Sequence, residues 1–215
     1  MSQHTLTLLR FTYKKLKEKL TVSDSKKLFH EKFPNVIPGL YKRIVDEMLV
    51  ELNLLNHQNE FTQDNLFCVG LTETFKELMK GYKPEKHLDL LFESLCSSTN
   101  FEGKEIKEIS QKSQNELKDK KSKDILKLLI EKSNSKLYPS RILNLGIYIL
   151  ISNSEDHKEK NESEKNKTIS DIFEKLSLPT NKAEKDIGIY KSSISKMEQA
   201  KELIEELKVK NKKKN

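Results

Sequence analysis

The chain has 215 residues, and its 40 Lys+Arg against 33 Asp+Glu give a formal charge of +7. Charged residues make up 34% and hydrophobic ones 35%, a polar balance that places part of the chain outside the packed core of one domain. The densest apolar run, LGIYILI at 145–151, falls short of the ~20 residues of a membrane span, and no apolar secretory signal opens the chain.

Residues 1–20 place Leu6, Leu9, Tyr13, Leu16 and Leu20 on one helical face among lysines. A basic amphipathic helix of this kind can lie in an anionic membrane interface or dock on the chain's own core. A first helix is expected over 24–33 with Ser23 as its N-cap, and a second from Pro38. In the second, Tyr41, Ile44, Val45, Met48, Leu49, Leu52 and Leu55 form one broad apolar face. Arg43 and Glu47 stand at i, i+4 on its other side, the spacing of an exposed ion pair. A third helix runs from Asp64 to Lys80, with Gly81 as its stop. Pro84 opens a fourth, with Leu88, Leu91, Phe92 and Leu95 inward.

Residues 103–118 read as a half-exposed helix, 124–132 as a short one, and 139–151, apolar nearly all round, as a central core helix. Residues 152–167 hold no apolar residue and are expected as a polar linker. Ile169, Ile172, Phe173 and Leu176 mark a short helix that ends before Pro179. A long amphipathic helix follows, with Ile187, Tyr190, Ile194 and Met197 on its seam. Period-two alternation is missing throughout, so the fold is all-α: a compact multi-helix domain with a long C-terminal coiled-coil-like arm. The expected organisation is a basic extension (1–20), a core domain (21–151), a linker (152–167), an arm (168–209) and a lysine-rich tail (210–215).

The charge is unevenly spread. Residues 1–20 hold five basic residues against Glu18, a net +4, and residues 208–215 hold five lysines and no acid, +5. The body between them is left at −2, without the basic stripe of a nucleic-acid reader, and nucleic acid is not expected as a partner. His4, His30, His57, His87 and His157 are isolated, and no phosphate-cradling or nucleophile-elbow motif appears. Cys68 and Cys96 sit in apolar helical contexts without a basic neighbour, as packing residues do. Catalytic, cofactor-binding and metal-ligating residues are therefore all read as none, and an enzyme is not expected.

Longer blocks are more specific. TVSDSKKLFHEKFPNVIPGLYKRIVDEMLVELNLL (21–55), DNLFCVGLTETFKELMKGYKPEKHLDLLFESLCSS (64–98), YPSRILNLGIYILI (138–151) and KDIGIYKSSISKMEQAKELIEE (185–206) resemble the thylakoid formation protein family, a photosystem II biogenesis factor of cyanobacteria and chloroplasts. The resemblance implies a non-enzymatic helical protein, peripheral on the cytoplasmic side of the thylakoid membrane. Such a protein acts in photosystem II biogenesis and repair with FtsH-type membrane proteases, with photosystem II assembly intermediates as further partners. It also implies candidate partner contacts at Asp24, Lys27, Arg43, Glu47 and Glu51, with Tyr82, Tyr190 and Met197 as packing residues. No chloroplast transit peptide precedes the first block, which points to a cyanobacterial protein. A second reading is a peripheral protein that organises the thylakoid lipid surface, its basic ends touching anionic lipid.

Overall fold

The computed structural model describes residues 19–132, 137–158 and 160–212. The rest of the expected basic extension, including Leu6, Leu9, Tyr13 and Leu16, and the end of the lysine tail lie outside the described residues. Among the described residues there are ten helices and no strand. They are α1 (Val22–Lys32), α2 (Gly39–Asn56), α3 (Asn65–Leu78), α4 (Leu88–Ser97), α5 (Gly103–Leu117), α6 (Ser122–Lys132), α7 (Arg141–Ser152), α8 (Glu155–Lys158), α9 (Glu162–Lys175) and α10 (Thr180–Lys212). A single 3-10 turn, Glu85–His87, separates Pro84 from α4.

The helix starts follow capping chemistry. Thr21, not Ser23, caps α1: its hydroxyl accepts from the Asp24 amide at 3.1 Å, and its own amide donates to the Asp24 carboxylate at 3.0 Å. This reciprocal box satisfies two backbone N–H groups at once, and Ser23 sits one residue inside the helix. Asp64 caps α3 through Phe67 N at 2.8 Å, and Ser140 caps α7 through Leu143 N at 3.0 Å. Just after α3, Gly81 takes φ +80°, which ends the helix direction as the sequence suggests.

Two apolar clusters make up the interior. The first joins Phe29 and Phe33 of α1, the inner face of α2, Phe67, Leu71 and Phe75 of α3, and Leu91, Phe92 and Leu95 of α4. The second joins α6, α7, α9 and the start of α10 around Leu143, Ile147, Ile151, Phe173 and Ile187. Helices α3 and α7 belong to both, and they cross with their backbones in contact. An alanine Cβ at Gly70 would lie 2.0 Å from Ile142 O, and one at Gly146 would lie 2.0 Å from Leu66 O. Only hydrogen fits at either position.

The stretch expected as a polar linker holds α8 and the first turns of α9. Asn161 and Glu164 form a second capping box, and Ser122, at the start of α6, gives both its amide and its hydroxyl to Asp156, each at 2.6 Å. Lys160 adds a third hydrogen bond to Asp156 at 2.8 Å. Burial pushes the Asp156 carboxyl up, but the hydrogen bonds from Lys160 and Ser122 outweigh it and hold it well below the usual carboxylate range.

A carboxyl whose pKa is depressed by folding contributes stability above its unfolded value, and the contribution disappears as pH falls through the folded one. Asp156→Asn is therefore expected to cost about 1 kcal/mol at pH 7, a figure kept small by solvent around the pair. The gap from wild type should begin to narrow in urea titrations below about pH 4 and keep narrowing as the pH falls further. A gap that is the same at pH 7 and at about pH 2 would rule this ion–hydroxyl cluster out as the source.

Candidate functional site

The five candidate contact residues separate into two groups. Asp24 and Lys27 lie on α1, where the Asp24 carboxylate is occupied by the Thr21 hydroxyl at 2.7 Å and the Thr21 amide. Those hydrogen bonds lower the Asp24 pKa, with Lys27 adding a smaller charge effect. Arg43, Glu47 and Glu51 follow one another at successive turns of α2 and share a groove of about 840 Å³. Neither Asp24 nor Lys27 lines it.

The groove runs between the outer face of α2, the 138–141 segment leading into α7, and Lys182 of α10. Its apolar lining includes Val50, Leu54, Tyr138 and Pro139, and Leu54 is 53% exposed on a helix whose other face is buried. Around that lining stand Lys26–Asp46 at 3.5 Å, Arg43–Glu47 at 2.8 Å and Arg141–Glu51 at 3.4 Å. Lys42 and Lys182 bring the lining cations to five against three carboxylates, and Lys182 Nζ donates to Pro139 O at 2.5 Å. The surface is therefore net positive around an apolar centre.

Glu51 is the most enclosed of the three carboxylates. Burial pushes its pKa up, the Arg141 guanidinium and Lys182 oppose that, and Asp186 reinforces it. Asp186 itself is buried and accepts from Asn144 Nδ2 at 2.8 Å, which ties α10 to α7 behind the groove. The family resemblance pointed to residues of the first two helices, and the i, i+4 spacing to the Arg43–Glu47 pair alone. Arg141 and Lys182 reach the site through tertiary packing. The signal for Arg141 was present nonetheless: it is one of three arginines in the chain, and it opens an otherwise apolar helix.

The lining suits docking better than bond-making. An apolar centre ringed by paired charges is the composition of a protein interface. Among the described residues no group of three or more His, Cys, Asp or Glu is placed to hold a metal ion. Cys68 and Cys96 are fully buried. Burial pushes the Cys68 thiol up to about 12 and raises that of Cys96 as well, so neither is a ready nucleophile. Tyr82, Tyr190 and Met197 are buried and pack in the interior. No helix among the described residues is long and apolar enough to cross a membrane.

The model of the thylakoid formation protein family matches residues 21–215. The chain belongs to the thylakoid formation protein family. Its relatives in that family include Protein Thf1 of Prochlorococcus marinus strain MIT 9312, 84% identical over 93% of this chain and 99% of that protein. Protein Thf1 of Synechococcus sp. strain CC9605 is 40% identical over 86% of this chain and 87% of its own length. A solved structure of Psb29 superposes with a TM-score of 0.79 at 27% identity, covering 91% of this chain and 98% of that one. The family match begins at residue 21, the first residue of the Thr21–Asp24 capping box.

Proposed function

We propose that the protein is a non-enzymatic accessory factor in thylakoid membrane biogenesis and photosystem II assembly and repair. It acts by docking an FtsH-type membrane protease complex in the α2–α7–α10 groove, from the cytoplasmic face of the thylakoid. The observation that carries this is the groove itself, where three of the five candidate contact residues converge around an exposed leucine. Membership of the thylakoid formation family supports the setting. Handing photosystem II assembly intermediates to the protease belongs to the same reading.

The test is affinity purification of a tagged copy from solubilised thylakoids. Wild type should enrich membrane-protease subunits, and Arg43→Glu with Leu54→Glu should lower that enrichment about tenfold, the effect of losing an interface anchor of about 1.4 kcal/mol. Unchanged thermal unfolding of the double variant would show that the fold is intact. Recovery of no membrane protease with wild type would sink the proposal.

The lipid-surface reading rests on the basic ends, most of which lie outside the described residues. Flotation with anionic vesicles separates the two readings, because lipid-driven binding weakens steeply with salt and with deletion of residues 1–18.

A further inference from the structure

Helix α10 runs 33 residues, about 50 Å at the rise of an α-helix, and among its described side chains the buried ones lie in its first two-thirds. Ala183, Ile187, Tyr190 and Met197 are buried against the domain. Beyond Lys201, every position from Glu202 to Leu207 is exposed. Three of those six are large apolar residues: Leu203 is 58% exposed, Ile204 40% and Leu207 50%. Leu203 and Leu207 are four residues apart and Ile204 adjoins them, so the three form one short stripe. Together with Leu54 they are among the few large apolar side chains the fold leaves in water.

The charges around the stripe are sorted along the helix. Residues 198–206 hold Glu198, Glu202, Glu205 and Glu206 against Lys201. Residues 208–214 hold five lysines and no acid. The stripe has an acidic flank before it (Glu198, Glu202) and a basic one after it (Lys208, Lys210, Lys212), and these flanks are complementary on reversal, although Glu205 at the centre meets its own copy. Laid antiparallel, with Leu203 of one copy beside Leu207 of the other, two arms bring residues 208–212 of each alongside residues 198–202 of its partner. A parallel pairing would stack lysine on lysine instead, a like-charge arrangement that disfavours it.

We propose that the distal arm is a self-association element: it pairs antiparallel with the same segment of a second copy through Leu203, Ile204 and Leu207. The eleven residues from Glu202 to Lys212 are about 16 Å of helix, so two copies bury less than the ~1,200 Å² of a stable interface. The dimer is accordingly reversible and salt-sensitive, formed when copies are concentrated rather than held permanently. It leaves the α2–α7–α10 groove unused, so one assembly carries two docking sites.

Sedimentation velocity on the full chain from about 1 µM to 1 mM, in low and high salt, tests the pairing. The expected result is a monomer–dimer equilibrium that weakens with salt. Leu203→Glu with Leu207→Glu should abolish the dimer without changing the helical signal. Lys208→Glu with Lys210→Glu and Lys212→Glu should weaken it at low salt only. Orientation is read by mixing Leu203→Cys and Leu207→Cys chains under mild oxidation. Disulfides between unlike chains should then exceed those between like chains several-fold. A wild-type chain that stays monomeric at the highest concentration overturns the proposal and leaves the stripe to a different protein. So does a dimer that survives the double glutamate variant, or a preference for disulfides between like chains.

Discussion

Gly70→Ala or Gly146→Ala should each cost about 3 kcal/mol or more of folding stability, at the upper end of what one added methyl group does in a packed interior. At each site the new carbon would come to 2.0 Å from a carbonyl oxygen of the facing helix, and that oxygen belongs to backbone. A flexible side chain could swing aside; a helix backbone moves only by separating α3 from α7. That separation loosens both apolar clusters, because both helices contribute to each. Helix propensity pulls the other way, since alanine is preferred to glycine by about 1 kcal/mol within a helix. The clash is larger, so the net sign is loss. For a chain of this length the midpoint of thermal unfolding should fall by roughly 6–12 °C. Gly188→Ala is the control: nothing lies within 4 Å of its added carbon, so the same substitution on α10 should raise stability slightly. Equal behaviour of Gly70→Ala and Gly188→Ala would refute the backbone contact.

The second large effect is expected at Asp186. Its carboxylate accepts the Asn144 amide at 2.8 Å in a buried position, and Asn144 Oδ1 already lacks a partner. Asp186→Ala leaves the amide donor unpaired in the interior and should cost about 2–3 kcal/mol. Because this bond joins α7 to α10, hydrogen exchange in the first turns of α10 should accelerate before exchange in α3 does. Asp186→Asn keeps an acceptor for Asn144 and removes a like charge near Glu51, so it should recover most of the loss. If the alanine and asparagine variants unfold together at the wild-type midpoint, the bond contributes nothing measurable.

Helices with an apolar face were readable from the sequence because burial imposes a period. The seven residues of the α2 stripe all turn inward: six are buried and Ile44 packs at the margin. The Arg43–Glu47 pair follows from the same spacing, at 2.8 Å. Periodicity fails where polar contacts hold the chain. Helix α8 and the start of α9 present few apolar side chains, and their anchors are Asp156 on Ser122 and the Asn161–Glu164 box. That box was in the sequence, as was Thr21–Asp24, but the first lay in a stretch without apolar residues and the second stood beside Ser23. The groove was half legible: Arg43, Glu47 and Glu51 share a helix face, whereas Arg141 and Lys182 arrive from 90 or more positions away. Nothing local encodes that meeting.

The sealed cysteines give this chain an internal gauge of its own breathing. Cys68 lies in α3 and Cys96 near the end of α4, both in the first cluster and both out of contact with water. A thiol reagent reaches either sulfur only through a transient opening, and it must meet the ionised form, which burial suppresses. The trapping rate at each sulfur therefore reports how often that part of the interior comes apart. If the two sulfurs are trapped at one shared rate, the helices that carry them open as a unit; unequal rates would locate the weaker seam.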